Sequence, residues 1–139
     1  MKTLYVAGPS SEASMVARFA AGLEDYGWEV SFPWWPDFVD GKITSGQDRI
    51  RTKESRKADA VQCLAGVQRA GYLWLLVPTH ESRSVGSWVE LGAALAHPDK
   101  KHILVSGDHL RSSFLEIADR HYDTHEQARA WLEVNGDRP

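Results

Sequence analysis

The chain has 139 residues, 42% hydrophobic and 25% charged, with 16 Lys and Arg against 19 Asp and Glu. That length fits a single domain, 1–139, with room for a sizeable core, and a net charge of -3 gives no support to a nucleic-acid backbone binder, which shows a basic excess or stripe. No apolar run nears the roughly 18 residues of a membrane span, and the opening segment MKTLYVAGPSS is too short for a signal-peptide core.

TLYVAG, closed by Gly8-Pro9, reads as a buried first strand ending in a turn. Ser10 and Ser11 are positioned to cap the helix that follows. Met15, Val16, Phe19, Leu23 and Tyr26 recur at helical spacing up to a stop at Gly27. WEVSF is a second strand. The segment PWWPDF after it cannot be crossed by a helix, so it is expected to be a loop beyond the strand's carboxyl end. From Gly41 to Arg69 the chain is polar and mostly helical. Its mixed charge run DRIRTKESRKAD suits a solvated face, and Val61, Cys63, Leu64 and Val67 suit packing.

YLWLLVP is apolar on both faces, as a central parallel strand should be. A loop, a helix carrying Glu90, the strand HILVSG, a short helical piece around SFLEIA and a brief strand near HYD come next. A last helix opens at Thr124, with Gln127 three residues on in a capping-box pattern. This alternation predicts a flavodoxin-like, Rossmann-like three-layer α/β sandwich on a parallel sheet of about five strands. In such sheets ligands bind beyond the carboxyl ends of the strands. Those ends carry AGPSS, PWWPDF, PTHESRSVG and SGDH, so the unusual chemistry gathers on one edge.

Two readings of Glu90 stand side by side. Ser87-Trp88-Val89-Glu90 fits the S-x-x-E capping box, in which the acid only closes its own helix. The other reading also places Glu90 in the helix's first turn, where the dipole and spare amides favour the anion. An ionised acid beside an anomeric carbon can attack it and form a covalent glycosyl intermediate. Gly92 then lets the helix approach the sheet. Ser84, Gly86 and Ser87 offer hydroxyls and amides at a helix N-terminus, which suits a phosphate or a sugar hydroxyl. Trp34 and Trp35, adjacent in a loop, suit a pocket wall or an interface. Gly8-Pro9-Ser10 is not a G-x-G-x-x-G turn, so no dinucleotide cofactor is indicated. The lone Cys63 makes no intrachain disulfide and, with scattered histidines, a poor metal set. A reduced cytoplasmic setting with no metal or cofactor is therefore expected.

LYVAGPS and SVGSWVELGAALA, with YLWLLVP between them, together resemble the nucleoside 2-deoxyribosyltransferase superfamily. Its members pair a strand ending in A-G-P with a G-x-x-x-E-x-G-x-A helix, here Gly86, Glu90, Gly92 and Ala94. The loop from Ser84 to Glu90 looks closer to the branch hydrolysing nucleoside 5'-monophosphates, where the serine contacts the phosphate. The resemblance implies a retaining attack by Glu90 on C1' of a (deoxy)ribose, with departure of the base and transfer of the sugar to water or a second base. It implies that Tyr5, Gly8 and Pro9 line the sugar side, that Trp34 and Trp35 stack on the base, and that the chain is a homodimer or larger. An aspartate that many members carry before the central strand is missing. Counting back lands near Cys63 and Leu64, and Asp59 is off by about a turn. His80 and Glu81 stand where many transferases have an aspartate or asparagine, which makes His80 a candidate general acid or orienting group.

Two other classes fit less of the pattern. A TIR-like domain acting on NAD-derived nucleotides also has a glutamate after S-x-x-W, but one residue further from the tryptophan than Glu90. In a non-catalytic nucleotide-binding or assembly module, Glu90 would serve only as a cap.

Overall fold

A computed structural model describes residues 1–39, 51–78, 85–108 and 112–138. Five strands form one all-parallel sheet in the order β2-β1-β3-β4-β5, where β1 is Lys2–Ala7, β2 Trp28–Val30, β3 Tyr72–Leu76, β4 His102–Ser106 and β5 Arg120–Tyr122. The helices are α1 (Ala13–Ala20), α2 (Pro36–Val39), α3 (Lys53–Arg69), α4 (Val85–Ala96) and α5 (His125–Asn135). This is the flavodoxin-like order expected from the alternating pattern.

Strand alternation splits the core in two. Leu4 and Val6 of β1 pack with Val16, Phe19, Ala128 and Leu132 under α1 and α5. Tyr5 and Ala7, pointing the other way, pack with Val67, Leu91 and Ala94 under α3 and α4. Register is continuous across the centre, with Tyr5 beside Leu73 and Leu73 beside Ile103. After β1 the chain moves to one side for β2 and then to the other for β3, so the sheet's topological switch point lies between β1 and β3.

Local chemistry explains most element ends. Thr124 and Gln127 form the reciprocal capping box at the start of α5. Gly22 and Gly27, at φ 74 and 88, bracket a 3-10 turn, Leu23–Tyr26, and stop the first helix short. Three expectations need correction. Ser10 and Ser11 do not cap α1; they lie in a 3-10 turn, Ser10–Glu12, ahead of it. PWWPDF is a loop only as far as Trp35, because Pro36 opens the one-turn α2, where a fixed φ and a missing N–H cost nothing. SFLEIA forms turns rather than a helix. Leu115 is buried there while Phe114 and Ile117 are exposed, so no apolar face exists to dock one. Among the described residues no helix is long and apolar enough to cross a membrane.

Candidate functional site

Three elements converge beneath the α3/α4 layer. Tyr5, fourth of the six residues of β1, is fully buried, and its hydroxyl donates a hydrogen bond to Glu90 Oε2 from α4. The Cys63 thiol, from α3, lies beside both and favours the Glu90 anion as a donor. The helix carrying Cys63 comes this close because Gly66 has no side chain. A Cβ there would lie 2.8 Å from Phe32 Cβ and 3.1 Å from the Tyr5 ring. The Ser31 hydroxyl donates to the Gly66 carbonyl at 2.8 Å and ties the same turn to the end of β2.

Burial governs the electrostatics. It pushes the Glu90 carboxyl up to about 7, against the hydrogen bonds from Tyr5 and Cys63, which favour the anion. Burial also pushes the Cys63 thiol up to about 11, so it remains an S–H donor at neutral pH. Burial and then the neighbouring Glu90 raise the Tyr5 phenol far above its ordinary value, which keeps that hydroxyl protonated as well. The arrangement is a single titratable carboxyl held by two permanent donors in a desolvated place. Such a group can accept a proton near neutrality or, once ionised, act as a nucleophile.

The capping and first-turn readings of Glu90 both fail, for one reason. α4 runs Val85–Ala96, so Glu90 is its sixth residue and belongs to the second turn. The carboxylate reaches across to β1 instead of back to its own helix end, and its ionisation is opposed rather than assisted. Ser87, the supposed cap, is buried inside the helix, 2% exposed. Gly92 does not serve close packing either, since a Cβ there meets nothing within 4 Å. The glycine that permits close approach is Gly66, on the neighbouring helix.

The tryptophan pair is divided. The Trp34 indole donates at 2.8 Å to the carbonyl of Val6, near the carboxyl end of β1, and the ring touches both halves of the core. Trp35 meets Trp34 edge-on, centroids 5.8 Å apart, and packs only with the α1/α5 half, away from Glu90. Phe32 takes the place beside Tyr5. Gly8 packs against Val16, where a Cβ would sit 2.7 Å from Cγ2, and Pro9 precedes the 3-10 turn. Gly86 is exposed, with open space around it. His80 and Ser84 lie outside the described residues. Asp59 is paired with Arg51, and its charge also acts on Cys63, one helical turn further on.

No known protein family, curated protein or solved structure matches this chain. Among the described residues no cluster of three His, Cys, Asp or Glu could hold a metal ion. A separate hollow of about 320 Å³ lies at the carboxyl ends of β3 and β4 on the α1/α5 face, lined by Arg18, Phe19, Asp108 and His125 among others. It does not include Glu90.

Sequence reasoning missed Cys63, Phe32 and Gly66. The available signal was the i, i+3 spacing of Cys63 and Gly66, which puts thiol and gap on one helix face, and the count back from the central strand that lands near Cys63.

Proposed function

We propose that the protein cleaves the N-glycosidic bond of a (deoxy)nucleoside or its 5'-monophosphate through a covalent glycosyl-Glu90 intermediate. In the first step the ionised Oε of Glu90 bonds to C1' as the C1'–N bond breaks, and the bond's electron pair leaves with the base, which takes up a proton. In the second, water attacks C1', loses a proton and releases the sugar, restoring the carboxylate. A second base in place of water gives exchange. No metal or redox group enters the balance.

The observation that carries this reading is the Tyr5–Glu90 hydrogen bond in a desolvated place beside the β1/β3 switch point. The Tyr5 hydroxyl fixes one carboxylate oxygen, and the other is the proposed attacking atom. A carboxyl near 7 is ionised in about half the molecules at neutral pH, enough to react while keeping the driving force of a basic nucleophile. His80 is the proposed proton donor to the base, Ser84 with Gly86 and Ser87 the proposed phosphate side, Tyr5, Gly8 and Pro9 the sugar side, and Trp34 the base platform. Trp35 joins that platform only through its edge contact with Trp34.

The test is chromatographic detection of free base after incubation with ribo- and deoxyribonucleosides, their 5'-monophosphates and NAD, beside a Glu90→Gln control. Base released from one class by the wild type alone supports the reading and names the substrate. Release that survives in folded Glu90→Gln removes Glu90 from the chemistry. Silence from folded protein that binds nucleotides leaves a binding module.

A further inference from the structure

On the face of the sheet opposite Glu90, two buried polar side chains meet. Ser106, at the end of β4, is fully buried, and His125, the first residue of α5, is 7% exposed. The Trp74 indole donates to Ser106 Oγ at 2.8 Å, and that oxygen lies 2.7 Å from His125 Nδ1. Among the described residues the buried serine proton has only Nδ1 to go to, so it is donated there. That choice fixes the tautomer and leaves the ring proton on Nε2. Burial holds the imidazole below its usual 6.5, so it is neutral at pH 7. No described residue accepts from Nε2. A buried N–H without an acceptor is costly, and His125 lines the hollow of about 320 Å³ on this face.

The rest of that lining sorts by chemistry. Met15, Phe19, Val77 and Pro78 form an apolar wall. Phe19 meets the His125 ring edge-on, centroids 5.3 Å apart, and carries the Arg18 guanidinium 4.8 Å from its own centroid. The charge of Arg18 acts on the same imidazole, and among the described residues no carboxylate pairs with it. α5 also opens here. Its capping box occupies the amides of Thr124 and Gln127, which leaves those of His125 and Glu126 as donors at the positive end of the helix. Asp108, Asp123 and Glu126 bring carboxylates to the rim. Gly107, at φ 108, turns the chain beside the ring, where a Cβ would lie 3.0 Å from Val77 Cβ and 3.3 Å from His125 Cε1.

We propose that this hollow binds a free α-amino acid with an apolar side chain. The ligand's carboxylate sits on Arg18, the two α5 amides and the Nε2–H of His125. Its ammonium faces the acidic rim, and its side chain lies on the apolar wall. A phosphate would suit the donors but be repelled by the three carboxylates, and a simple amine would suit the carboxylates but leave the donors unpaired. A zwitterion satisfies both sets. The volume stands at the small end of the range for ligand pockets, as a molecule of that size requires. The proposal does not depend on any glycosidase activity.

Thermal melting and the His125 imidazole resonances test it, with free leucine, methionine and phenylalanine as probes. At least one should raise Tm and shift the Nε2–H signal. For a probe that binds, the analogues lacking the carboxyl or the amino group (phenethylamine and hydrocinnamate for phenylalanine) should bind about tenfold more weakly or worse, as loss of a charge-assisted hydrogen bond predicts. Arg18→Gln, at an exposed position, should weaken binding by about the same factor with an unchanged circular dichroism spectrum. Asp108→Asn, also exposed, should weaken the amino acid and leave hydrocinnamate unaffected. Lys57→Gln, the loss of an equal charge on the other face of the sheet, should bind as wild type does. No response to any of the three amino acids, equal binding of either single-charge analogue, tighter binding of inorganic phosphate, or an Arg18→Gln variant with wild-type affinity would overturn the proposal.

Discussion

Replacing Glu90 by Gln should stabilise the protein, and only where the wild-type carboxyl ionises more readily unfolded than folded. Folding moves that carboxyl from its ordinary 4.5 up to about 7. Below pH 4.5 both states hold the proton and the charge contributes nothing. Between 4.5 and 7 the unfolded chain has lost its proton while the folded one keeps it, so wild-type stability falls as pH rises; above 7 the loss is constant. At 1.36 kcal/mol per pH unit the 2.5-unit difference amounts to about 3 kcal/mol. For a chain of this length that corresponds to roughly 10 °C in Tm.

The assay is thermal melting of wild type and Glu90→Gln at a series of pH values from 4 to 9. Other titrating groups are common to both proteins and cancel in the difference. The variant's advantage should be smallest near pH 4, widen through pH 5 to 7, and then level off. Glutamine still accepts from Tyr5, so no cavity or lost bond confuses the comparison. A gap that is flat with pH, or one in which the wild type gains as pH rises, would show that the carboxylate is solvated or stabilised as an anion. The buried Tyr5–Glu90 contact would then be wrong.

Tyr5→Phe removes a donor that favours the Glu90 anion, and a hydrogen bond to a charge is worth about 1.5–3 kcal/mol. The midpoint of the pH–kcat/KM profile should therefore move above 7, with activity at pH 7 down about tenfold; an unmoved midpoint refutes the positioning role. Gly66→Ala drives a methyl into Phe32 and the Tyr5 ring, and overpacking of this kind costs about 1–3 kcal/mol. Its signature is a lower denaturant midpoint together with a displaced Glu90 titration; a wild-type midpoint counts against the close approach. Thr124→Ala breaks a capping box whose two bonds are both formed and should cost about 1 kcal/mol in urea unfolding, whereas an Ala variant of Ser87 should not behave as a cap deletion. Burial holds the His125 imidazole below its usual 6.5. The unfolded chain therefore binds that proton first and stability falls as pH drops below 6.5; in His125→Gln that part of the acid limb should vanish from melting curves.

The sheet was readable because its signals are local and redundant. Leu4, Tyr5, Val6 and Ala7 are apolar toward both faces, and Gly8 ends the run. Thr124 and Gln127 shared the same advantage, since a capping box lies within four residues. The identical pattern at Ser87 and Glu90 misled, because it caps only if the helix begins there, and α4 already includes Val85 and Gly86. Cys63 and Gly66 look like ordinary helix residues until α3 is laid against β1. Trp34 and Trp35 are neighbours in the chain and share the α1/α5 half of the core, yet only Trp34 also reaches the α3/α4 half. What was illegible was set by tertiary contact, which no window of sequence contains.

Tyr5 and Glu90 are 85 positions apart, and β1 cannot gain its second neighbour until β3 exists. During synthesis at roughly 5–20 residues per second, the tyrosine and the thiol wait several seconds for their acid. Contacts of such long sequence separation form late and slow folding. A nascent chain halted before β3 has a first strand paired on one side only and exposes that edge to other chains, and one halted before α4 has both neighbours of β1 but an aromatic hydroxyl still without its carboxylate. Protection of the central strand and completion of the acid's surroundings are thus two successive steps in the life of the polypeptide, the strand first and the acid after it.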